Sequence, residues 1–206
     1  PAVVRAYYHI HSQKMSMTKI PKPAKTASNT RQKLIDAAFA IAIEAGPNAI
    51  TLDAVAERAG TSKGGLLYHF RTKDALFEQL VEFAICKFQD RVDGAHLSAD
   101  GARSSASAYV VASTDQFAPE DALWRTGLLA LIFYQPRLTN IWRRRMEQWT
   151  SIDRREGMDP IATMAARLAA DGMWFRSLLN ASPVSESILP DVRAQLLELA
   201  SRRADQ

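Results

Sequence analysis

Apolar residues along most of the chain recur at intervals of three and four, the spacing that places side chains on one face of an α-helix. The first such segment begins near Arg31 and ends at Gly46-Pro47, a pair that stops helices. No segment shows the sustained alternation that a half-buried strand requires. The pattern predicts an all-α protein of about nine helices, at about 31–45, 52–59, 63–70, 72–93, 102–117, 120–134, 137–156, 158–180 and 186–204.

The segment Thr51–Lys73 contains two short predicted helices that meet at Gly60. A tight turn there needs a residue that tolerates positive φ, and glycine does so without steric strain. Ala56 is small enough to let the two helix backbones approach, and Val55 and Leu66 can fill the space between them. This is the pattern of a helix-turn-helix, which presents a short helix to the major groove of DNA.

The polar side of the second of these helices carries the candidate DNA contacts. Its N-terminus exposes backbone N–H groups that attract phosphate. Two consecutive glycines lie in its first turn although glycine is a poor helix former, and a surface that lies close against another backbone would explain them. Taken singly, each neighbouring polar residue also fits a cap, a packing position or a solvated charge. The candidates are Thr51, Thr61, Ser62, Lys63, Gly64, Gly65, Tyr68, His69 and Lys73.

The charge distribution changes this picture, because the basic residues concentrate in the same third of the chain. Residues 1–75 contain 11 Lys and Arg against 5 Asp and Glu, a net charge of +6, whereas residues 76–206 contain 15 against 17, a net charge of −2. Such a surface suits a polyanion, although a solvated tail would have the same composition. Residues 1–29 lack apolar periodicity and are predicted to be a disordered basic tail.

The ordered pattern over residues 31–77 resembles the DNA-binding domain of TetR-type (tetracycline-repressor-like) regulators. The shared features are Gly46, the run Thr51-Leu52-x-x-Val55-Ala56-x-x-Ala59-Gly60 and the run Ser62-Lys63-Gly64-x-Leu66-x-Tyr68-His69-Phe70-x-x-Lys73. The resemblance implies a helix-turn-helix DNA-binding domain over 30–76, a fourth helix over 72–93 that links the domains, and an effector-binding and dimerisation domain over 77–206.

The resemblance also implies roles for the candidate residues. Those that mainly contact phosphates would be Thr51, Tyr68, His69 and Lys73. Those nearest the base edges would be Thr61, Ser62, Lys63 and Gly65. Leu67 departs from the family, which often has tyrosine at that position, so the usual phosphate-binding hydroxyl is missing there. Gly65 has no side chain for reading bases, so specificity would depend on few direct contacts and on DNA shape.

Aromatic residues are frequent in the C-terminal two-thirds of the chain, and they admit two interpretations. They either form the core of the domain or line a cavity for an apolar or aromatic small molecule, since such pockets are mostly apolar with a few polar anchors. The candidate ligand-binding residues are Trp124, Phe133, Tyr134, Trp142, Trp174 and Arg176. Arg125, Gln135 and Asn180 are further candidates for polar anchors.

The last two predicted helices, together spanning about 158–204, carry more apolar surface than a terminal hairpin needs within its own domain. The resemblance implies that this hairpin and its symmetry mate form a four-helix homodimer interface. Two-fold symmetry would place the recognition helices about one DNA turn, roughly 34 Å, or a little more apart, on a palindromic operator in double-stranded DNA. Regulation stays open between a repressor released by a small molecule and a regulator controlled by a protein partner or by its own level.

Other functional classes find no support in the sequence. The histidines, His9, His11, His69 and His96, show no metal-ligand spacing, and no glycine loop resembles a nucleotide cradle. Cys86 has apolar neighbours and is expected to be a small core residue. We therefore expect no enzyme activity, no catalytic residue, no metal and no cofactor. No apolar run is long enough to cross a membrane, and a single cysteine fits a reducing interior, so a cytoplasmic protein is expected.

Overall fold

The helical spacing of the sequence corresponds to nine α-helices in the computed structural model, which describes residues 25–97, 102, 104–115, 121–178 and 187–204. Residues 116–120 and 179–186, where several of the predicted helix ends fall, lie outside the described ranges. The described residues contain no β-strand, so the predicted all-α class is confirmed. The helices are α1 (Lys25–Ala45), α2 (Leu52–Arg58), α3 (Lys63–His69), α4 (Lys73–Leu97), α5 (Ser105–Thr114), α6 (Asp121–Tyr134), α7 (Thr139–Arg155), α8 (Pro160–Leu178) and α9 (Leu189–Ala200), with short 3-10 turns at Pro47–Ala49 and Pro136–Leu138.

Two helices extend clearly beyond their predicted ends. The first helix begins at Lys25, inside the segment 1–29 that we predict to be disordered, and residues before it lie outside the described part of the chain. Once a helix has nucleated on its buried face, each residue added at its end gains a hydrogen bond without a new nucleation step. The fourth helix continues past Gly94, because the penalty of about 1 kcal/mol for a glycine is small and Val92 and Ala95 are buried on either side.

The N-terminal domain consists of α1, α2 and α3 around one shared core. Val55 on α2 and Leu66 on α3, which we expect to fill the space between these helices, are both buried, as is Leu34 on α1. Phe70, which ends α3, is also buried, and the guanidinium carbon of Arg31 lies 5.7 Å from the centre of its ring. Apolar contacts at both ends of α3 therefore fix the orientation of this short helix.

The fourth helix connects this domain to the C-terminal helices. Leu76 and Phe77 near its start are buried beside the N-terminal domain, and Phe88 and Val92 further along are buried among the C-terminal helices. It packs against α5, α6 and α7, while α5, α8 and α9 pack against one another. α4 is thus one continuous helix of 25 residues that runs from the end of the N-terminal domain into the core of the C-terminal helices.

A second connection between the two domains is the packing of α6 on α1. Gly127 on α6 lies so close to the Phe39 ring of α1 that a Cβ atom added at Gly127 would be 2.4 Å from Phe39 Cδ1. Only a residue without a side chain permits this approach. Beside it, the turn after α6 is tied to the first turns of α4, because Arg137 forms ion pairs with Asp74 at 2.5 Å and with Glu78 at 3.3 Å. α6 is therefore in direct contact with the N-terminal domain and, through the turn that follows it, with the start of α4.

Candidate DNA interface and effector cavity

The turn between α2 and α3 is built on one glycine. Gly60 has a φ of 66°, which confirms the predicted need for a residue that tolerates positive φ. Its N–H donates to the carbonyl of Glu57 at 3.0 Å, and the N–H of Thr61 donates to the carbonyl of Ala56 at 3.0 Å. These two bonds end α2 and turn the chain within three residues, so that α3 starts on the outer side of the domain.

Two of the candidate DNA-contacting hydroxyls act as helix caps. Thr51 Oγ1 accepts a hydrogen bond from the N–H of Ala54 at 3.1 Å, and Ser62 Oγ accepts one from the N–H of Gly65 at 3.1 Å. A hydroxyl that accepts a bond still has its own hydrogen to donate. Thr51 and Ser62 are both exposed, so each can cap its helix and donate to a phosphate oxygen at the same time.

The outward face of α3 carries the most exposed candidates. Ser62, Lys63 and Gly64 are exposed, and the Tyr68 side chain is 79% exposed with its ring edge-on to His69. The ammonium of Lys63 lies 2.9 Å from a carboxylate oxygen of Asp53 in the first turn of α2. This exposed ion pair links the N-terminal turns of α2 and α3. The carboxylate of Asp53 therefore lies near any group of the DNA that Lys63 approaches.

The two glycines of α3 differ in their surroundings. A Cβ atom at Gly64 would have 3.8 Å to its nearest neighbour, the Ser62 hydroxyl, so the position faces open space. A Cβ atom at Gly65 would be 2.6 Å from Thr61 Oγ1. Gly65 therefore makes room for the side chain of Thr61 within the domain, whereas nothing within the described protein requires a glycine at position 64.

His69 and Lys73 lie at the edge of this face and are half-buried. Burial lowers the pKa of His69 below its usual value, and the positive charge of Arg31 lowers it further. The Lys73 ammonium lies over the ring of Phe77, 5.2 Å from its centre. All nine candidate residues are at least partly exposed, and they lie at the N-cap of α2, in the turn after α2, on α3 and at the start of α4.

A cavity of about 290 Å³ lies in the C-terminal domain between α4, α5, α6, α7 and α8. Its wall is mainly aromatic, and it contains three of the four tryptophans of the chain. The aliphatic part of the wall comes from α6, and the polar atoms come from a serine, a tyrosine and an aspartate. The lining residues are Phe88, Tyr109, Ser113, Trp124, Leu128, Leu129, Ile132, Trp142, Asp171, Trp174 and Phe175.

Half of the candidate ligand-binding residues line this cavity. Trp124, Trp142 and Trp174 belong to its wall, but Phe133, Tyr134 and Arg176 do not, so their prediction was wrong for this cavity. Phe133 is 73% exposed because it lies about 100° around α6 from Ile132. The Tyr134 ring packs edge-on against Phe77, 6.2 Å between centres, and Arg176 is exposed.

The other candidate anchors also lie elsewhere. Gln135 precedes the 3-10 turn after α6 and accepts a hydrogen bond from Arg137 at 3.0 Å, and Asn180 lies outside the described residues. Arg125 is buried, with its guanidinium carbon 5.6 Å from the centre of the Trp174 ring, but it is not a lining residue. Burial lowers the pKa of Arg125 to about 10, and the nearby charge of Arg91 contributes.

Sequence reasoning missed the polar part of the cavity wall. Asp171 and Arg167 are one helical turn apart on α8, a helix that is otherwise apolar over most of its length. Two charges on the same face of an apolar helix are a signal for a buried polar site, since isolated buried charges are strongly unfavourable. Phe88 and Tyr109 also line the cavity, although their spacing alone is equally consistent with core packing.

A buried network lies directly behind this polar wall. Arg167 is fully buried, and its guanidinium donates to both carboxylate oxygens of Asp153 on α7 at 2.9 Å. The guanidinium carbon lies 4.5 Å from the centre of the Tyr109 ring, and Tyr109 donates its hydroxyl hydrogen to Asp171 Oδ1 at 2.5 Å. Burial raises the pKa of Tyr109 well above its usual value, so the hydroxyl keeps the proton that it donates.

Asp171 differs from Asp153 in its environment. Burial raises the pKa of the Asp171 carboxyl above its usual value, while the hydrogen bond from Tyr109 and the charge of Arg167 oppose the rise. Asp153 is the bidentate partner of Arg167, so the two charges balance each other. Of these two aspartates, only Asp171 is a lining residue of the cavity.

The outer side of α8 carries an unbroken apolar stripe. Ile161 is 81% exposed and Leu168 63% exposed, and Met164 and Phe175 are also exposed. Their spacing of three, four and seven residues places them on one face of the helix. The exposed residues Ala165, Ala169 and Gly172 fill the positions between them with small side chains.

Other kinds of site are not found among the described residues. Within them no group of three or more His, Cys, Asp and Glu could hold a metal ion. None of the helices in this part of the chain is long and apolar enough to cross a bilayer. Cys86 is exposed rather than buried, so its expected place in the core was wrong. It lies next to Ile85, which is buried, but about 100° further around α4.

The fold and the exposed face of α3 define a helix-turn-helix DNA-binding regulator. Residues 34–80 match the family model of bacterial regulatory proteins of the tetR family, and residues 103–201 match that of the tetracyclin repressor-like C-terminal domain. The HTH-type transcriptional regulator BetI of Serratia proteamaculans is 30% identical over 169 residues, which are 76% of this chain and 85% of that protein. The chain belongs to the tetR family and is a DNA-binding transcriptional regulator.

Further relatives agree with this family. BetI of Rhizobium meliloti is 29% identical over 171 residues, 75% of this chain and 81% of that protein. Among solved structures, a putative TetR-family transcriptional regulator from Rhodococcus sp. has a TM-score of 0.63 at 21% identity and covers 83% of this chain and 96% of its own. The multidrug binding protein EbrR, solved with malachite green, has a TM-score of 0.62 at 24% identity and covers 81% of this chain and 96% of its own. These two structures share the fold with this chain.

Proposed function

We propose that the protein is a homodimeric repressor that binds a palindromic operator in the cytoplasm and leaves it when a small molecule fills the cavity. The observation that carries the proposal is the position of α6. This helix lines the cavity with Trp124, Leu128 and Ile132, and it also packs against α1 of the DNA-binding domain through Gly127 and Phe39. The similarity to EbrR, a multidrug binding protein solved with malachite green, supports a small-molecule ligand.

On the operator, α3 enters the major groove and the flanking groups hold the phosphates. Lys63 and Thr61 lie nearest the base edges, with Gly64 allowing the helix to approach because its position is open. Tyr68 and Lys73 contact phosphates from the rim of the same face. Tyr68 supplies the hydroxyl that Leu67 lacks, and its high exposure leaves that hydroxyl free to reach the backbone.

The homodimer forms through the apolar stripe of α8, extended by α9. Exposed isoleucine, leucine and methionine side chains are unfavourable in water and gain free energy when a second copy covers them. The small residues Ala165, Ala169 and Gly172 let two α8 helices approach closely. A symmetric contact of this kind presents two α3 helices on one side of the dimer, as a palindromic operator requires.

Release from DNA is a shift between two conformations of the dimer. A ligand that separates α6 from α5 and α8 displaces Gly127 against Phe39, and the ion pairs of Arg137 with Asp74 and Glu78 transmit the movement to the start of α4. The ligand then favours dimers whose recognition helices no longer match the operator spacing. If no ligand exists, the same DNA-contacting face would serve a regulator controlled by its own level.

The test is fluorescence anisotropy with DNA from just upstream of the gene and with random DNA of equal length, at several salt concentrations. We expect the upstream fragment to bind about a thousandfold more tightly, at one dimer per fragment. Equal and strongly salt-dependent binding to both fragments would contradict a repressor of its own promoter. A compound library is then screened for release of the bound fragment. If no compound that binds the cavity lowers operator affinity, the regulator without a ligand is the correct alternative.

A further inference from the structure

The wall of the cavity is suited to a ligand that interacts with aromatic faces. Trp124, Trp142 and Trp174 approach it from three different helices, and Phe88 and Phe175 close it. Aromatic faces are electron-rich and attract cations, and tryptophan does so most strongly. They also stack on neutral rings, so the aromatic wall alone leaves the charge of the ligand open.

The carboxylate of Asp171 decides between these two kinds of ligand. Tyr109 donates a hydrogen bond to Oδ1, but no donor among the described residues lies within hydrogen-bond distance of Oδ2. A carboxylate in an apolar wall is unfavourable unless its charge is compensated. Neither a neutral ligand nor an anion would supply that compensation, whereas a cation would.

Asp171 is the one charged residue among the described residues that line the cavity. Arg167 lies behind Tyr109, but its guanidinium is engaged by both oxygens of Asp153. Arg167 and Asp153 therefore form an ion pair behind the wall, and among the described residues the carboxylate of Asp171 has no bidentate cation partner of its own. Arg125 lies over the Trp174 ring, near Arg91 and its ion-pair partner Asp121, and none of these three groups lines the cavity.

From this arrangement we infer that the effector is an organic cation with an apolar body, which the tryptophans surround and whose charge is balanced by Asp171. The inference deepens the proposed function, since it names the class of ligand for the same cavity. Binding is driven by the transfer of the apolar body into the aromatic wall, and the carboxylate selects the charged ligand over a neutral one of equal shape. Tyr109 is a positioning residue, which holds the carboxylate in place through its hydroxyl.

The test uses two probes of equal shape, phenyltrimethylammonium and tert-butylbenzene, which differ only in the charged nitrogen. Binding to the full-length protein is measured by isothermal titration calorimetry and by quenching of tryptophan fluorescence. We expect the cation to bind at least about tenfold more tightly than its neutral isostere. Equal affinities, tighter binding of the neutral probe, or tighter binding of the anion benzenesulfonate would each overturn the inference.

The variant Asp171→Asn removes the charge but keeps an oxygen that accepts the Tyr109 hydrogen bond. It should lower the affinity for phenyltrimethylammonium by about tenfold or more and leave that for tert-butylbenzene unchanged. Tyr109→Phe keeps the carboxylate but removes the hydrogen bond that positions it, so it should weaken binding of the cation and leave that of tert-butylbenzene unchanged, and it serves if the asparagine variant does not fold. An equal loss of affinity for both probes, or an unchanged affinity for the cation, in Asp171→Asn would overturn the role of Asp171.

The same probes separate this inference from the proposed function. Operator release is measured independently by anisotropy at saturating phenyltrimethylammonium. If the cation binds through Asp171 but the operator stays bound, the ligand class stands and the release mechanism fails. If a neutral compound releases the operator and the cation does not bind, the repressor mechanism stands and the ligand class is wrong.

Discussion

The candidate DNA-reading face and the proposed effector cavity are encoded in the chain in opposite ways. All candidate DNA contacts lie within residues 51–73, on two short helices, their turn and the next helix start. The cavity takes residues between 88 and 175 from five helices that meet only in the folded domain. The DNA-reading face is therefore formed locally and is insensitive to changes elsewhere in the chain. The cavity wall instead depends on how each of its five helices is rotated about its axis.

This difference predicts that the two sites can be damaged separately. A substitution on the outward face of α3 should abolish DNA binding and leave the cavity intact. A substitution in the cavity wall should change ligand binding while α3 keeps its shape. Within the described part of the chain, α4, α6 and the turn after α6 supply the main contacts between the N-terminal domain and the cavity helices, so changes away from them should not affect both sites.

The largest effect is expected for Gly64→Glu, which places a negative charge on the open position of α3. Repulsion from the phosphates and the bulk of the side chain should weaken operator binding by about a hundredfold or more. The measurement is anisotropy with operator DNA, beside a calorimetric titration of the cavity. Gly94→Glu is the matched control, because Gly94 is also an exposed helical glycine with open space around it. Equal losses in both variants would show that α3 is not the reading helix.

The next effect concerns the proposed dimer, on which the operator geometry would depend. Leu168→Glu puts a charge into the centre of the apolar stripe of α8, and an unpaired charge in a covered interface is strongly destabilising. We expect the dimer dissociation constant to rise by about a hundredfold, measured by sedimentation equilibrium. Leu97→Glu, at an even more exposed leucine on α4, should leave the dimer unchanged. A wild-type protein that sediments as a monomer at micromolar concentration would contradict the interface.

The cavity should show a pH dependence that the DNA face does not share. Asp171 attracts a cation only when it is ionised, and burial raises its pKa, so cation affinity should begin to fall at a higher pH than for an exposed aspartate. The groups that face it are Tyr109 and Arg167, with Asp153 behind Arg167 and Arg125 across Trp174. Calorimetry with phenyltrimethylammonium should show the fall on acidification, and tert-butylbenzene should show none. Parallel curves for the two probes would exclude Asp171 as the titrating group.

The smallest effect is expected for a single phosphate contact. Lys73→Ala should weaken binding to every DNA sequence alike by roughly fivefold. The slope of log affinity against log salt should fall by about 0.9. Lys87→Ala is the matched control, since both lysines lie on α4 with the ammonium over a phenylalanine ring. A loss confined to the operator would assign Lys73 to base reading instead of phosphate binding.

The sequence predicted the local features of the fold well. Gly60, Val55 and Leu66 could be assigned because each acts on neighbours within a few residues, through backbone conformation or helix packing. The role of Gly127 could not be predicted, since only the approach of Phe39 from another helix requires a glycine there. Nothing along the chain indicates which helix will lie against it.

The sequence predicted an aromatic cavity in the C-terminal domain, but it did not predict which residues line that cavity. Phe133 has the same aromatic character as Trp124, yet the rotation of α6 on α1 leaves it exposed. Cys86 was misplaced for the same reason on α4. Asp171 carried a usable signal in its pairing with Arg167 along an apolar helix, because buried charges need partners. Its place in the cavity wall, however, depends on Tyr109 and on the packing of α5 against α8.

The most direct test of the account is whether the two sites are thermodynamically coupled. Tryptophan fluorescence reports cavity occupancy, since three of the four tryptophans line the cavity. The affinity of a cavity ligand is measured with free and operator-bound protein, and operator affinity is measured with and without that ligand. Coupling is reciprocal, so the account predicts that each partner lowers the affinity of the other by the same factor, of about fivefold or more. An operator affinity that does not change when the cavity is saturated would contradict the account.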